Sequence, residues 1–467
     1  MCNMHKTEQN MQYEEFVAAK AITTPSTGFE PRDVSDALYG FQRDIVTWAC
    51  RKGRACIFAD CGMGKTPMQL EWARQVCEHT GGSVLIVAPL AVSAQTVREG
   101  RKFGVGVTAC RSQSDVSSGI NITNYEMLGH FDPSTFDGVV LDESSILKAY
   151  MGKTKRSIVA AFKDTPYRLA CTATPSPNDL MELLNHAEFL GVMESSKALS
   201  IWFIADQSQS GVYRLKGHAQ DSFWRWVASW AVALSKPSDI GDYSDEGYTL
   251  PPLREVNEIV PVDQTIGSDG ELFRKVVMSA TGYQREKKIT LKARCERSAE
   301  IANAADGQCV VWCYRNDESA ELVRLIPDAV EVRGNDSIDI KERAILDFVD
   351  GRVRVLVSKP SIFGFGINMQ NCHEMVFCGM DYSFESYYQA VRRCYRFGQE
   401  SPVTVHRVLG ETELTILRTV EEKRSQHESM TDSIAARVGS VYRESHFTIG
   451  ESARDVPIPD WMVTDEG

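Results

Sequence analysis

The stretch Ala55-Cys56-Ile57-Phe58-Ala59-Asp60-Cys61-Gly62-Met63-Gly64-Lys65-Thr66 constrains the fold of this chain more than any other. An apolar run breaks at two glycines and ends in Lys-Thr ahead of a helix-compatible segment, which is the order strand, phosphate loop, helix. The glycines let backbone N–H groups turn inward and approach a polyphosphate closely. Lys65 can reach the β- and γ-phosphates, the Thr66 hydroxyl can take a place on Mg²⁺, and the helix N-terminus adds a favourable partial charge. Gly62, Met63, Gly64, Lys65 and Thr66 are therefore candidate nucleotide-binding residues, with Thr66 also a candidate metal ligand. Ala59 stands where the general pattern begins with Gly, so the loop by itself can also be read as a glycine-rich turn before a helix.

At 467 residues the chain is too long for one core, and two or three domains are expected. Hydrophobic content of 43% and charged content of 24% describe an ordinary globular protein. No apolar run is long enough for a membrane span, and residues 1–20 lack the apolar segment of a signal peptide, so a cytoplasmic location is expected. The net charge of −12 counts against a simple DNA-coating protein but not against a locally basic DNA groove. The 13 cysteines are scattered, many in apolar strand-like runs. Cys309 and Cys313 form the nearest pair, with no second pair or His spacing to complete a zinc site, so buried thiols and no structural metal are expected.

Up to about residue 35 the chain is polar and irregular, with Thr-Pro and Glu-Pro breaks, and reads as a loosely held arm. Next, Tyr39, Phe41 and Gln42 lie just upstream of the phosphate loop, where an aromatic ring and an amide can hold an adenine; Gln42 is a candidate nucleotide contact. After the loop, residues 68–77 read as a helix and Val84-Leu85-Ile86-Val87-Ala88 as a strand buried on both faces. The run 120–125 reads as another strand. The strand 136–141 ends in Asp142-Glu143-Ser144-Ser145, which places two carboxylates at a carboxyl edge, where open α/β sheets bind ligands. Asp142 is the candidate Mg²⁺ holder, and Glu143 the candidate base that orients and deprotonates a water. The strand 167–171 ends in Thr172-Ala173-Thr174-Pro175, and 178–190 reads as a helix.

Three motifs then stand in order: Gly-Met-Gly-Lys-Thr, Asp-Glu-Ser-Ser and Thr-Ala-Thr-Pro. They resemble motifs I, II and III of the superfamily II helicases related to DEAD/DEAH-box proteins. Thr172-Ala173-Thr174-Pro175-Ser176-Pro177-Asn178-Asp179-Leu180-Met181-Glu182-Leu183 and Ile122-Thr123-Asn124-Tyr125-Glu126 resemble the Swi/Snf-like ATPases in particular. Leu250-Pro251-Pro252 is similar to the stretch between their two lobes. A second α/β pattern starts near residue 298, with strands at 309–314, 330–334 and 353–357 and a helix at 341–348, but no second Lys-bearing loop. Phe363-Gly364-Phe365-Gly366-Ile367-Asn368-Met369-Gln370 resembles motif V, which makes Gly366 a candidate contact to nucleotide or DNA. Gln389 through Gln399 resembles motif VI, with Arg393 and Arg396 spaced to face one way on a helix and reach the γ-phosphate from the other lobe.

The resemblance implies an α/β fold of two tandem RecA-like doubly wound parallel-sheet lobes with an inter-lobe helical segment. The expected boundaries are an arm over 1–35, lobe 1 over 36–192, the inter-lobe segment over 193–297, lobe 2 over 298–425 and a tail over 426–467, and the charged start of that tail reads as a helix over 421–428. It also implies ATP and Mg²⁺ as ligands and DNA, double-stranded, as partner, in a compact phage or bacterial protein. Lys65, Asp142, Glu143, Arg393 and Arg396 would carry the chemistry of an ATP-driven DNA translocase or helicase. An ATP-gated clamp and an RNA helicase are the alternatives; a clamp need not keep a full hydrolytic set. Three departures bear on coupling between motifs: Ser145 replaces the family's motif II histidine, Arg392 replaces an aspartate of motif VI, and Tyr395 replaces its histidine. Phe223, Trp226, Val227 and Trp230 share a helical face that reads first as core and second as a base-stacking platform. Arg285, Lys287, Lys288, Lys292, Arg294 and Arg297 form the clearest basic cluster, either a solvated face or a phosphate-backbone contact.

Overall fold

A computed structural model describes residues 24–148, 152–206, 212–262, 280–362 and 368–451. The short apolar runs of the first half become parallel strands, β1 (Arg54–Ala59), β2 (Val84–Ala88), β3 (Val107–Ala109), β4 (Ile120–Asn124), β5 (Gly138–Asp142) and β6 (Tyr167–Thr172). A small antiparallel hairpin, β7 (Phe203–Ala205) with β8 (Tyr213–Leu215), stands apart, and β9 (Ala231–Leu234) returns to the sheet beside β1. Across the sheet the order is β3-β4-β2-β5-β6-β1-β9, with every pairing parallel. Helix α1 (Gly40–Lys52) precedes the first strand; parallel pairing demands crossovers, and helices supply most of them: α2 (Lys65–Thr80), α3 (Leu90–Lys102), α4 (Lys153–Ala161), α5 (Glu182–Leu190), α6 (Ser195–Trp202) and α7 (Gln220–Ala228). The central strands β2 and β5 are buried along their whole length, as a sheet covered on both faces requires.

The second sheet contains β10 (Leu253–Val260), β11 (Cys309–Trp312), β12 (Ala329–Val332), β13 (Val355–Ser358), β14 (Glu374–Cys378) and β15 (Val403–Gly410), in the order β10-β15-β14-β11-β13-β12 and again all parallel. Helices α8 (Ala280–Ile289), α9 (Leu291–Ala304), α10 (Asn316–Leu325), α11 (Ile338–Val349) and α12 (Phe384–Val391) accompany it. The chain thus forms two RecA-like α/β lobes. The helix expected over 341–348 starts earlier, at Ile338, where the Ser337 hydroxyl accepts from the Ile340 N–H. The helix expected from 178 starts only at Glu182, because Asn178 gives its backbone and side-chain N–H groups to the Glu182 carboxylate and holds a turn after Pro177.

The boundaries expected from sequence shift. Residues up to Ile240 pack into the first core, among them Trp202, Phe223, Trp226 and Trp230, while β10 is already an edge strand of the second sheet. The described part of 193–297 is therefore shared between the lobes instead of standing between them as a helical segment. A lone strand such as β9 gains backbone partners only by joining a sheet, which no helical periodicity reveals. The aromatic face of α7 is core: Trp202 stacks on Trp226 with ring centroids 4.4 Å apart, and Phe223 and Trp230 are fully buried.

Nor is the described part of the N-terminal arm loose. Thr27, Gly28 and Phe29 donate their backbone N–H groups to carbonyls of residues 50–52, and the Phe29 ring stacks on His79 at 4.0 Å. The basic cluster at 285–297 also divides. Arg294 is fully buried, donating to Glu318 at 2.8 Å and facing Glu413 at 3.4 Å. Lys287 is buried over the Tyr314 ring, and Arg297 pairs with Glu258 and Glu300. Arg285, Lys288 and Lys292 lie on the surface, and Arg297 is half-exposed but paired with acids, so no continuous basic stripe forms there. Every described cysteine is a free thiol and most are buried.

The helix expected over 421–428 is far longer. It forms α13 (Leu414–Glu451), which leaves the second lobe and crosses to the first. Ile416 and Val420 belong to the second core, whereas Met430 and Ile434 are buried in the first. Arg437 adds an ion pair to Asp221 of α7 at 3.0 Å. Residues 452–467, the rest of the tail, lie outside the described residues. Ile434 is fully buried, so Ile434→Ala is expected to lower stability by about 2–4 kcal/mol in denaturant unfolding, as large-to-small core changes do.

Candidate nucleotide-binding cleft between the lobes

The loop after β1 requires its glycines. Gly62 and Gly64 have φ of +93° and +79°, and a Cβ on Gly64 would lie 2.2 Å from the Gln42 amide nitrogen. Helix α2 starts at Lys65, so its unpaired N–H groups face the loop. The Lys65 ammonium donates to the Ala59 carbonyl at 2.8 Å. Burial works against its charge, but Cys61, Glu143, Asp60 and Asp142 outweigh that, and its pKa is raised.

Gln42 departs from the expected adenine contact. It is buried, its amide oxygen accepts from the Tyr39 N–H at 3.0 Å, and its amide nitrogen donates to the Met63 carbonyl at 3.0 Å. Gln42 thus braces the loop from behind and does not line the cleft, and Met63 is likewise turned inward. Local spacing placed both residues beside the loop; only the packed structure shows which way they point.

Strand β5 carries Asp142 to the carboxyl edge of the sheet. Gln69, one turn into α2, donates to Asp142 Oδ1 at 2.7 Å, and the Tyr125 hydroxyl donates to the Asp142 carbonyl at 2.7 Å. Glu143 follows with φ of +51°, a left-handed conformation that costs a non-glycine residue energy and persists only where the surroundings impose it. Its carboxylate lies 3.4 Å from the Thr172 hydroxyl at the tip of β6. Burial raises the pKa of both carboxyls: for Asp142 the Gln69 hydrogen bond and Lys65 pull the other way, and for Glu143 Lys65 does so while Asp142 adds to the rise.

The departure at Ser145 is bridged by a neighbour. Ser144 lies 3.1 Å from Nε2 of His186 on α5, and His186 is fully buried against the Phe58 ring of β1. Burial lowers the His186 pKa to about 4. Segment 142–145 is therefore tied to α5 by a hydroxyl–imidazole contact one position earlier than the family histidine.

The second lobe closes the site. Its segment after α12 brings Arg393 and Arg396 opposite the phosphate loop. Gly62, Gly64, Lys65, Thr66, Asp142, Glu143, Arg393 and Arg396 line one cleft of about 540 Å³. Burial lowers the pKa of both arginines, offset in part by Cys61 and Glu143 at Arg393, and by Cys61 at Arg396. The Arg396 Nε is buried without a hydrogen-bond partner, so a guanidinium with spare donor capacity faces the site. Gly366 and Gly364, the two glycines of the motif V stretch, lie outside the described residues. Gln69, Asp60 and Tyr388 also shape the site, and their types and spacing gave no signal for it. Among the described residues no cluster of three or more metal-ligating side chains occurs. Thr66 and Asp142 supply oxygen donors of the kind Mg²⁺ accepts when phosphates provide other ligands.

Residues 293–398 match the helicase conserved C-terminal domain. A putative protein p41 of Acyrthosiphon pisum secondary endosymbiont phage 1 is 22% identical over 84% of this chain and 96% of its own length. A Xenopus tropicalis SWI/SNF-related chromatin regulator of subfamily A, like protein 1, is 27% identical over 31% of this chain, a match that spans 16% of that relative. A Drosophila melanogaster homologue of the subfamily member containing DEAD/H box 1 is 29% identical over 21% of the chain and 12% of its own length. The solved SWI2/SNF2 ATPase core of Sulfolobus solfataricus, in complex with dsDNA, aligns over 90% of this chain and 98% of its own. Identity there is 19% and the TM-score 0.41, a likeness too loose to carry an argument. The two sheets and the cleft define a two-lobed phosphate-loop protein of the helicase type. Within that class the matched segments are similar to the Swi/Snf-related helicases. Among the described residues no helix is long and apolar enough to cross a membrane.

Two buried histidines make a pH prediction. His186 and His427 have pKa values lowered by burial from 6.5 to about 4. Each binds its proton more tightly when unfolded, so their stabilising effect is complete above about pH 6.5 and is lost as pH falls toward about 4. The thermal midpoint is expected to fall across that window, and less steeply in His427→Gln.

Proposed function

We propose that this protein is an ATP-driven motor that moves along double-stranded DNA. The observation that carries the reading is the shared cleft: Lys65, Thr66, Asp142 and Glu143 come from one lobe, and Arg393 and Arg396 from the other. A site completed only when two lobes meet couples hydrolysis to lobe movement. Lys65 neutralises the β- and γ-phosphates, and the loop N–H groups orient them. Glu143, whose pKa burial raises, takes the proton of the attacking water. Arg393 and Arg396 stabilise charge that develops on the transferred phosphoryl group. Thr66 and Asp142 would hold Mg²⁺, which bridges phosphate oxygens and neutralises their charge when bound.

A duplex track is supported by a hollow of about 730 Å³ at the carboxyl edge of the second sheet, lined by Asn316, Glu331, Arg333, Lys359 and Ser361. Arg333 is paired with Glu331 at 2.6 Å, so Lys359, Asn316 and Ser361 are the groups there that suit a phosphate backbone. The phage relative supports a role in the cytoplasm of a phage-infected bacterium.

The test is ATP turnover with no nucleic acid, duplex DNA, single-stranded DNA and RNA. Duplex DNA is expected to stimulate most. Lys65→Ala and Glu143→Gln should each lower turnover by at least about 10²-fold, and Arg393→Ala by about 10³-fold. Stimulation by RNA alone would move the reading to an RNA helicase, and ATP binding without hydrolysis to a clamp.

A further inference from the structure

The residue that departs most from motif VI makes an inter-lobe contact. Arg392 replaces an aspartate of the family pattern, and here its guanidinium pairs with the carboxylate of Asp60, the residue that opens the phosphate loop. Asp60 and Arg392 belong to different lobes and lie 332 positions apart in the chain. Asp60 Oδ1 also accepts from the Tyr388 hydroxyl of α12 and from the Cys61 backbone N–H at 2.6 Å. Arg392 lies over the Tyr388 and Tyr395 rings, 5.2 and 5.4 Å from their centroids. Tyr395 is the second departure from the motif. Tyr395 therefore provides one of the two rings that hold the Arg392 guanidinium.

Several features set this contact apart from a surface ion pair. The Asp60 side chain is 8% exposed and that of Arg392 18%, so water screens the pair little. Both carboxylate oxygens of Asp60 are engaged across the lobe boundary. Helix α13 backs the cluster: His427 packs 5.4 Å from the Tyr388 ring, seven residues before Ile434 enters the first core. By contrast, another ion pair across the lobes, Lys148 with Glu385, has a lysine 44% exposed and contributes little.

We propose that Arg392 is a positioning residue that latches motif VI to the phosphate loop through Asp60, so that the closed, arginine-loaded cleft is the resting state of this protein before nucleotide binds. With aspartate at this position, as in the family pattern, the two carboxylates would repel and closure would depend on nucleotide and nucleic acid. With arginine it is built into the apoprotein. Because Asp60 also holds the Cys61 N–H, opening the lobes perturbs the first turn of the loop and couples lobe movement to phosphate affinity. The coupling to turnover rests on the ATPase reading; the latch itself does not.

The test uses the full chain without nucleotide, with small-angle X-ray scattering and steady-state ATP turnover. Arg392→Asp is expected to enlarge the radius of gyration and to lower unstimulated kcat about tenfold, a typical coupling between sites, with saturating duplex DNA restoring much of the loss. Arg392→Lys keeps the cation and should scatter like the unaltered chain. A purely structural role would lower the melting temperature of Arg392→Asp without changing its scattering, and that result would overturn the latch. An unaltered chain that hydrolyses no ATP would refute the motor, yet the scattering comparison would still decide the latch. If Arg392→Asp does not fold, Arg392→Gln and Tyr388→Phe each remove one Asp60 contact and are judged by the same scattering.

Discussion

The whole molecule depends on the burial of two all-parallel sheets. A parallel strand covered on both faces cannot turn back on its neighbour, so the chain must cross over through long connections, mostly helical, and each crossover starts at a carboxyl edge. Backbone N–H groups at helix starts, and side chains released from the sheet, therefore collect at that edge. In the first lobe the edge holds the phosphate loop after β1, the Asp142-Glu143 pair after β5 and Thr172 after β6, three strands with two direct neighbour pairings. The chemistry of the cleft follows from this geometry.

Energy sets the character of the site. Its carboxyls and arginines are displaced from their ordinary pKa values mainly by burial, in opposite directions. Desolvated groups of opposite charge held near one another interact strongly, and they neutralise one another only when the lobes are together. Glu143 adds backbone strain at the residue that would handle the proton. Helix α13 works in the other direction: by burying residues in both cores it ties the two halves into one folding unit.

The departures from the family pattern are best understood as replacements of one contact by another. Loss of the motif II histidine at 145 is met by the Ser144–His186 contact. The changes at 392 and 395 meet each other, since Tyr395 helps hold the guanidinium that Arg392 directs at Asp60. Each change by itself looks like a weakened motif, yet in the packed molecule Arg392 meets Asp60, 332 positions away, and Ser144 meets His186, 42 positions away.

Much of the fold and half the cleft were legible in the sequence for a physical reason. The phosphate loop, the apolar strands and the Asp-Glu pair are local patterns whose period and glycine placement dictate their own conformation. Those patterns determined two α/β lobes and the identities of Lys65, Asp142 and Glu143 as cleft residues, while Arg393 and Arg396 came from the resemblance to motif VI. Only tertiary structure decided which way Gln42 points, that Arg294 is buried and not a surface cation, that β9 closes the first sheet, and that α13 spans both cores. It also decided the meeting of Asp60 with Arg392. These outcomes are contacts between residues tens to hundreds of positions apart, set by how faces pack and charges pair, and no local periodicity encodes them.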